Sequence, residues 1–281
     1  MTSQAQDQDP SALGRVDMSK PSPARIWNYF LGGKDNFAVD REAAASAAEA
    51  MPFLPEVARQ VRSFQGDVVR RLVARGVRQF LDIGTGLPVA GSVHEVAQQE
   101  APESRVVYVD NDPMVLAHAR ALLTSSPEGA CAYIDSDLRD PAEILSRAAE
   151  TLDLGQPVAV LLIAVLHFIP DSDDPWGIAG RLLDGVTGDA YLAISHGASD
   201  LETSALDMAS QYNDRSPVSI WMRPRDQVAR FYDGLDMLPP GLVTLGQWVS
   251  GGPASGGVAD LVGHVGIGWR PAPGQGAQGQ G

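Results

Sequence analysis

Cysteine is almost absent from this chain, which has one, Cys131, among 281 residues. A single cysteine excludes an intrachain disulfide and any metal cluster built on several thiolates. Long apolar runs are missing as well, because the longest, VAVLLIAVL at 158–166, is about half of the roughly 20 residues that a membrane-spanning helix needs. The scarcity of cysteine predicts a protein of a reducing compartment. The short apolar run at 158–166 predicts a strand buried on both faces.

Basic residues are scarce beside acidic ones, with 21 Lys and Arg against 35 Asp and Glu and a formal net charge of −14. Such a chain has little non-specific attraction for nucleic acid or anionic membranes, although a local basic patch is compatible with it. The first ten residues, MTSQAQDQDP, lack the basic start and apolar run of a secretory signal. We therefore expect a cytoplasmic protein whose partner is neither nucleic acid nor membrane; the sequence predicts no oligomeric state.

Residues for a globular core are plentiful, because 44% of the chain is hydrophobic and 20% is charged. From residue 77 onward, short apolar runs alternate with helix-like stretches, which is the pattern of a parallel sheet wound with helices. The last two runs are joined by the glycine-rich SGGPASGGVA and predict an antiparallel hairpin at a sheet edge. The predicted strands are 77–83, 105–110, 130–135, 157–166, 189–195, 241–249 and 260–270.

Between the strands, apolar residues at helical spacing predict helices. The predicted helices are 55–75, 112–123 and 224–234, with two shorter pieces around a Gly-Gly break in 21–54. Both ends of the chain are polar and without periodicity, which is typical of disordered segments. We expect four parts: a disordered N-terminus, 1–18; a helical extension, 19–54; one α/β domain, 55–270; and a disordered tail, 271–281.

The stretch FLDIGTGLPVAGSVHEVAQ, 80–98, has a glycine turn after a buried strand but lacks two phosphate-binding signatures. Val89 stands where the third glycine of a dinucleotide-binding G-x-G-x-x-G motif would be, and the lysine of a P-loop is missing. What remains is D-x-G-x-G, with Asp82 ahead of Gly84 and Gly86. A carboxylate there would repel a pyrophosphate and suits a ligand that carries an ammonium group. The alternative is a tight turn that binds nothing.

Two more aspartates follow the next two strands. Asp110 ends the run VVYVD, where a carboxylate at the tip of the second strand of a nucleotide-binding fold accepts both ribose hydroxyls. The alternative role is a helix cap, which Asp112 already supplies. Asp137 follows the third strand, where it can accept a hydrogen bond from an adenine amino group while Leu138 packs on the ring. The alternative for Asp137 is an acidic loop before a helix cap at Asp140.

Together the motifs DIGTGLP, YVDNDP and DSDL resemble those of the class I S-adenosylmethionine-dependent methyltransferases, over about residues 55–270. One departure is Pro88, which stands where that superfamily has a further glycine. The block PSPARIWNYFLGGKDNFAVDRE, 21–42, with LDIGTGLP, VHEVAQ and VVYVDNDP, is similar to a narrower actinobacterial methyltransferase-like family, formerly catalogued as a domain of unknown function, in which this Leu-Pro is usual. The resemblance implies a Rossmann-like, doubly wound α/β fold, with a seven-stranded, mostly parallel sheet, an antiparallel terminal strand and an N-terminal helical extension.

The resemblance also implies the cofactor S-adenosylmethionine and the residues that would hold it. Asp82 would face the methionine amino group through water, Gly84 and Gly86 would allow close backbone approach, and Thr85 would lie in the same turn. Asp110 would hold the ribose. The other implied contacts are Asn111 beside the adenine, Asp137 and Leu138 in the base pocket, and Ala164 and Val165 at the methionine and sulfonium end.

Candidate groups for the chemical step follow the fourth and fifth strands, where open α/β sheets have their crevice. Methyl transfer mainly requires a nucleophile held in line, and it needs a base only if the nucleophile arrives protonated. His167 and His196 both occupy such positions and are the candidate bases. The alternatives are a buried residue under the cofactor for His167, and a pocket wall or a hydrogen-bonded loop residue for His196. None of the five histidines has metal-ligand spacing to another, so we expect no metal.

The segment ARIWNYFLGGKDNF, 24–37, places aromatic and polar residues around a Gly-Gly pair that a simple helix would not need. We predict a lid that closes over the cofactor and lines the substrate site, with Tyr29, Lys34 and Asn36 facing inward. A hydrophobic clasp against the sheet is the alternative.

The predicted function is methyl transfer from S-adenosylmethionine to oxygen or nitrogen of a small molecule. One other class that stays open is a non-catalytic module that binds S-adenosylmethionine or its demethylated product as a sensor, because no base is obvious. A second is an NAD-dependent oxidoreductase, which is disfavoured by Val89 and by the acidic residue ahead of the glycines.

Overall fold

The computed structural model describes residues 16–122, 125–201, 203–214, 218–252, 257, 260 and 262–273. The strands in these residues are β1 Gln79–Ile83, β2 Arg105–Asp110, β3 Ala130–Asp135, β4 Val158–Ile163, β5 Ala190–Gly197, β6 Asp236–Met237, β7 Val243–Thr244 and β8 Gly263–Arg270. They form one sheet in the order β3-β2-β1-β4-β5-β8-β6, with β7 paired to β8. The first five strands pair in parallel, and β8 pairs antiparallel with β5, β6 and β7.

Helices connect the strands and precede the sheet. In the described residues they are α1 Pro23–Phe30, α2 Ala38–Ala50, α3 Leu54–Ala74, α4 Val93–Glu100, α5 Pro113–Leu122, α6 Pro141–Ala148, α7 Pro175–Asp184, α8 Thr203–Asn213, α9 Arg225–Ala229 and α10 Leu245–Ser250. Short 3₁₀ turns lie at Leu166–Phe168, Asp171–Asp173 and Arg230–Tyr232. The predicted helix 55–75 is thus α3, and Gly76 ends it with φ +90°.

The predicted fold class, a doubly wound and mostly parallel sheet with an antiparallel terminal strand, is confirmed. The predicted count of seven strands is wrong, since the described residues contain eight. The additional strand, β6, has only two residues, which is too short for an alternating pattern to reveal it.

The predicted strand 241–249 is mostly a helix, because only its two residues in β7 pair with β8. The Thr244 Oγ1 accepts from the Gln247 N–H at 3.2 Å and the Gln247 Oε1 accepts from the Thr244 N–H at 3.0 Å, a capping box that starts α10. The ring of Trp248 then packs edge-on against Phe64 of α3, with centroids 4.9 Å apart. Capping and burial of the tryptophan therefore override the strand propensity of this run.

Alternate residues of β1 face two cores on opposite sides of the sheet. Phe80 belongs to the core formed with α1 to α4 and α10, whereas Leu81 and Ile83 belong to the core formed with α6, α7 and α9. By the same alternation Asp82 lies on the side of Phe80, where it is 2% exposed. The pleat of β1 thus directs a buried carboxylate toward α3.

Two predictions concern segments at the ends of the chain. The predicted disordered segments 1–18 and 271–281 fall mainly outside the described residues, and the proposed division into four parts stays a prediction.

Within the described part of the chain, every helix is too short or too polar to cross a membrane.

Candidate functional site

A cavity of about 890 Å³ lies at the carboxyl ends of β1 to β5. These ends meet at one edge of the sheet because the strands are parallel, so the loops that follow them converge there. The residues of α1 and those just before it, one side of α3, the segment 218–222 and the start of β8 also line the cavity. Its volume is near the upper end of the roughly 300–1,000 Å³ of small-molecule sites, which leaves room for two ligands side by side.

The turn after β1 depends on two glycines in the left-handed region, Gly84 with φ +72° and Gly86 with φ +67°. A Cβ on Gly84 would collide with the side chain of Val165, whereas a Cβ on Gly86 would have no neighbour within 4 Å. Gly84 is therefore packed tightly against the turn after β4. Gly86 instead presents bare backbone to the cavity, where a ligand can approach closely.

Asp110, at the end of β2, binds this turn directly. Its Oδ2 accepts from the Gly86 N–H at 2.9 Å and its Oδ1 accepts from the Asp112 N–H at 2.9 Å. Burial raises the pKa of Asp110 to about 6, although these backbone N–H groups stabilise the anion. The carboxylate lines the cavity, and its contact with ribose hydroxyls stays a prediction.

Asn111, Asp137 and Leu138 come together at the same end of the cavity. The Asn111 Nδ2 donates to Asp137 Oδ2 at 2.9 Å, and the Arg139 N–H donates to Asp137 Oδ1 at 2.9 Å. Burial raises the pKa of Asp137, but the hydrogen bonds from Arg139 and Asn111 outweigh it, so the net pKa is lowered. Both oxygens of Asp137 thus already have protein donors, and Leu138 supplies a nearly buried apolar surface beside them.

Asp82 lies behind the glycine turn, where it lines a small separate pocket. The Thr85 Oγ1 donates to it at 3.1 Å, and the Gln65 Nε2 lies 3.4 Å from each of its oxygens. Burial raises the pKa of Asp82 to about 6, against the lowering influence of the Arg62 guanidinium. A contact between Asp82 and a ligand in the main cavity would therefore need an intermediate group such as water.

Arg62 and Gln65 of α3 are site residues that sequence reasoning missed. The Arg62 Nη1 donates to Gln65 Oε1 at 2.5 Å and its Nη2 donates to Val89 O at 3.2 Å. Its Nε is buried without a hydrogen-bond partner, and burial lowers the pKa of Arg62. Both of these hydrogen-bond partners are neutral, and Arg62 lines the cavity. The available signal was a polar pair at i, i+3 beside the apolar stripe of α3.

Ala164 and Val165 form a turn after β4 that lies against the glycine turn. Ala164 has φ +55°, a left-handed conformation that costs a non-glycine residue roughly 1–2 kcal/mol. Its N–H donates to the backbone oxygen of Ser195 at 3.1 Å and to the Ser195 Oγ at 3.0 Å, which ties the turn to β5. Since β4 lies between β1 and β5, these two residues separate the two ends of the cavity.

His196 is not free to act as the predicted base, because both of its ring nitrogens are engaged. Its Nε2 lies 2.9 Å from Arg223 Nη1, and a guanidinium only donates, so Nε2 accepts. Its Nδ1 lies 2.8 Å from the Gly197 O and must carry the ring proton. Burial lowers the pKa of His196 well below its usual range. His196 is therefore a neutral, hydrogen-bonded part of the cavity wall, which was the alternative role.

Arg223 is a second residue that sequence reasoning missed. It is 1% exposed and donates through Nη1 to Leu166 O at 3.1 Å and through Nη2 to Ile169 O at 2.7 Å. Its Nη2 also donates to Asp171 Oδ1 at 2.6 Å. The segment after β4 is thus held by an arginine far along the chain, which no local pattern indicates.

His167 lines the cavity close to the turn of Ala164. Burial, with a contribution from the Arg223 guanidinium, lowers the pKa of His167 to about 4, so the imidazole is neutral at neutral pH. Its Nδ1 is buried without a hydrogen-bond partner, and its backbone oxygen accepts from the Trp221 N–H at 2.7 Å. A neutral imidazole can take up a proton but holds it weakly at this pKa. A catalytic role for His167 stays a prediction.

The other three histidines do not line the cavity and have partners elsewhere. The partners are Tyr108 for His94 at 2.8 Å, Asp35 for His118 at 3.2 Å and Asp200 for His264 at 2.9 Å. In the part of the chain that the structure describes, no group of three or more His, Cys, Asp or Glu side chains is placed to hold a metal ion.

Residues 16–37, which we name the N-terminal strap, cover one side of the cavity. The Ser22 Oγ donates to Asp112 Oδ2 at 2.6 Å, and the Ser22 N–H donates to Asp40 Oδ1 at 2.9 Å. Arg25 is 3% exposed and donates to Asp40 Oδ2 at 2.8 Å. The apolar contacts of the strap join Val16, Ala24 and Phe37 to Leu87, Met114 and Val115. The strap therefore bridges α2, α5 and the glycine turn.

Tyr29, Lys34 and Asn36 do not line the cavity, which corrects the prediction that they face inward. Tyr29 is 41% exposed and Lys34 is exposed, and the Asn36 Nδ2 is used by Asn28 Oδ1 at 3.1 Å and by the Gly33 O at 3.0 Å. For Tyr29 the physical reason is helical periodicity, since α1 buries its other side, whereas Lys34 and Asn36 lie in the loop between α1 and α2. The strap residues that line the cavity instead include Arg25, Ile26, Trp27, Asn28, Phe30 and Leu31.

Comparison with known proteins concerns the family and the overall fold. A model of the S-adenosyl methyltransferase family matches residues 9–270. A DUF574-family protein from Streptomyces avermitilis MA-4680 is 39% identical, with a TM-score of 0.86 over 92% of this chain and 100% of that chain. A protein from Thermobifida fusca YX, provisionally assigned as a methyltransferase, is 33% identical, with a TM-score of 0.84 over 94% of this chain and 98% of that chain.

More distant comparison concerns the fold alone. An O-methyltransferase family protein from Burkholderia thailandensis is 15% identical, with a TM-score of 0.52 over 94% of this chain and 69% of that chain. The chain matches no curated protein. Similarity in sequence as well as in fold is therefore found with the Streptomyces and Thermobifida proteins and with the family model.

Proposed function

The chain belongs to the S-adenosyl methyltransferase family, with S-adenosylmethionine as its cofactor, and we propose that it methylates an oxygen or nitrogen atom of a small molecule. When bound, the cofactor supplies a methyl group activated by its sulfonium sulfur. One observation carries the proposal: a single cavity joins the loops after β1 to β3 to a space beyond β4 and β5, with Ala164 and Val165 between them. A small acceptor is favoured because the cavity is enclosed on several sides and the net charge of −14 opposes a nucleic-acid substrate.

The residues of the cavity fit this cofactor. Gly86 leaves its backbone open to a nucleoside, and Asp110 offers a carboxylate for ribose hydroxyls. The zwitterionic methionine end needs a cation and an anion. We assign Arg62, which lines the cavity, to the carboxylate, and Asp82, through water, to the amino group.

The contribution of the protein to methyl transfer would be mainly positional, because holding two reactants in line supplies most of the effect that such a reaction needs. His167 is the group that we propose to take up the proton of the acceptor on a ring nitrogen. Its imidazole is neutral at neutral pH and can therefore accept a proton. Its low pKa then favours release of the proton to water.

The N-terminal strap is proposed to close over the bound cofactor and to exclude water from it. The support is its position along the cavity and its hydrogen bond from Ser22 to Asp112, two residues after the carboxylate assigned to the ribose. The alternative, a hydrophobic clasp, is supported by the burial of Ile26 and Phe30 in the core with α3. A clasp would stabilise the protein without affecting exchange of the cofactor.

A second candidate function is a non-catalytic sensor of S-adenosylmethionine or of its demethylated product, S-adenosylhomocysteine. The observation that favours it is the state of the two histidines in the cavity wall. His196 has no free lone pair, and the pKa of His167 is lowered to about 4. A protein that has no acceptor, or whose acceptor arrives already ionised, does not need either histidine to act as a base.

Asp110→Ala tests the binding site. We expect the affinity for S-adenosylhomocysteine, measured by calorimetry, to fall at least tenfold, because two ribose hydroxyls lose a charged acceptor. Circular dichroism should show that the fold is kept. Asp153→Ala is the control, since this exposed carboxylate precedes β4 at the opposite edge of the sheet. Unchanged affinity in Asp110→Ala would refute the ribose assignment.

Turnover separates the enzyme from the sensor. Purified protein is incubated with S-adenosylmethionine and fractions of a cell lysate, and release of S-adenosylhomocysteine is measured. The proposed enzyme releases product with some fraction, and His167→Ala lowers the rate while the affinity for S-adenosylhomocysteine is kept. Binding without release in any fraction would support the sensor.

A further inference from the structure

The space beyond the turn of Ala164 and Val165 has a different lining from the cofactor end of the cavity. We name it the acceptor chamber and define it by six apolar side chains and the ring of His167. The six are Trp27, Phe30, Met51, Val57, Trp221 and Met222. Aromatic rings and methionine thioethers together form a surface that suits flat rings.

Among the described residues that line the cavity, those that follow Arg139 in the chain have no charged side chain. Within the described residues, the charged side chains that line the cavity come from the strap, from Arg62 and from the loops after β2 and β3. Arg25, the charged residue of α1, turns toward Asp40 and reaches to within 4.0 Å of Asp112. The described part of the acceptor chamber therefore has no counter-ion for a charged acceptor.

The polar groups near the acceptor chamber are largely used within the protein. The His196 Nε2 accepts from Arg223, and the Ser195 Oγ accepts from the Ala164 N–H. The Asn28 Oδ1 accepts from the Asp35 N–H at 3.1 Å. His167 is neutral, with a pKa lowered to about 4.

We infer that the acceptor is an uncharged, flat aromatic molecule with one hydroxyl group, an inference that rests on the proposed methyl transfer and names its substrate class. A charged acceptor would lose its hydration in the acceptor chamber without gaining a partner. A cationic amine would in addition meet the positive charge of the cofactor. Trp221 is 45% exposed although it is large and apolar, as expected of a surface that a ligand covers.

The test measures the affinity of the protein for three naphthols that differ in charge. They are neutral 2-naphthol, anionic 6-hydroxy-2-naphthoate and cationic 6-(aminomethyl)-2-naphthol. Calorimetry is done on protein saturated with S-adenosylhomocysteine, which lacks the sulfonium charge, so the preference belongs to the acceptor chamber. We expect the neutral probe to bind at least tenfold more tightly than either ion. Equal or tighter binding of an ion, or binding of none of the three, would overturn the inference.

The preceding titration with S-adenosylhomocysteine distinguishes the two levels of failure. If S-adenosylhomocysteine does not bind, the proposed function fails and the inference fails with it. If it binds and the naphthols show no preference for the neutral probe, the inference alone fails.

Trp221→Asp locates the preference. It should weaken binding of 2-naphthol at least tenfold and leave the affinity for S-adenosylhomocysteine unchanged, because the new carboxylate lies in the acceptor chamber. Leu206→Asp is the matched control, since Leu206 is 44% exposed but does not line the cavity, and it should change neither affinity. An equal loss in both variants, or no loss in Trp221→Asp, would contradict the assignment of the chamber.

Discussion

Burial sets the chemistry of the carboxylates at the residue scale. Asp82 and Asp110 follow the same rule, since desolvation raises the pKa of each to about 6 while nearby donors or a guanidinium oppose the rise. Both are therefore held ionised at neutral pH at a cost to the folded state. Functional sites often keep such groups because a bound ligand returns the missing interactions.

Asp82→Asn tests this cost through its pH dependence. The folded-state pKa lies above the unfolded value of about 3.9, so ionisation above about pH 6 destabilises the fold, and this penalty fades as pH falls through 6. When the pH is lowered from about 7.5 to about 5, the free energy of unfolding of the wild type should rise by about 1.4 kcal/mol relative to that of Asp82→Asn. Urea unfolding at both pH values measures it. A constant difference, or the opposite sign, would show that the folded-state pKa is not raised.

The two glycines of the turn should respond differently to alanine. Gly86→Ala should lower the free energy of unfolding by about 1–2 kcal/mol, the cost of a left-handed alanine, because nothing lies within 4 Å of the new Cβ. Gly84→Ala should cost more, since its Cβ also collides with Val165. Urea unfolding of the single variants and of Gly84→Ala with Val165→Ala measures the coupling. No recovery in the double variant would mean that the collision is relieved elsewhere.

At the scale of elements, the N-terminal strap and the segment after β4 depend on contacts between distant parts of the chain. Ser22 reaches Asp112 across 90 positions, and Arg223 reaches Asp171 across 52. Helix α10 instead depends on a contact between neighbouring residues, the capping box of Thr244 and Gln247. This capping box lies within a run of residues that favour a strand. The pattern of apolar residues alone does not show whether local capping, strand propensity or a long-range contact decides the structure of a segment.

Ser22→Ala tests whether the N-terminal strap gates the cofactor. If the strap must open for exchange, loss of the Ser22 bond to Asp112 should speed dissociation of S-adenosylhomocysteine about three- to tenfold, in line with the net contribution of about 1 kcal/mol that a typical hydrogen bond makes. Stopped-flow displacement measures the rate. Ser19→Ala is the matched control, because Ser19 is exposed and its Oγ donates to Asp17 within the strap.

The hydrogen bond between Ser22 and Asp112 can also be altered at its acceptor. Asp112→Asn can keep the cap of α5, in which Asp112 Oδ1 accepts from the Met114 N–H at 2.8 Å, but it places an amide opposite Ser22. Because the new amide nitrogen can donate to Ser22 Oγ, a weaker neutral hydrogen bond replaces the one to the carboxylate, and dissociation should be faster than in the wild type but slower than in Ser22→Ala. Unchanged dissociation in both variants would favour the hydrophobic clasp.

On the scale of the whole molecule, a ligand that binds only the folded state stabilises all of it. S-adenosylhomocysteine at about 100 times its dissociation constant should add about 2.7 kcal/mol to the free energy of unfolding and raise Tm by several degrees. NAD at equal concentration should not, because Val89 replaces the third glycine of a pyrophosphate turn and Asp82 precedes it. Thermal unfolding with each ligand measures the difference. Stabilisation by NAD alone would contradict the proposed function.

The sequence by itself determined the order of the five parallel strands, the glycine turn and the aspartates at or just after the ends of the first three strands. These features depend on the periodicity and turn chemistry of contiguous residues, and the same motifs carried the family resemblance. Only the tertiary structure decided which side chains line the cavity. It turned Tyr29 outward, engaged the Nε2 of His196 with Arg223 27 positions away, and brought Arg62 into the site. Orientation and proton affinity depend on burial and on partners remote in the chain, which no local pattern specifies.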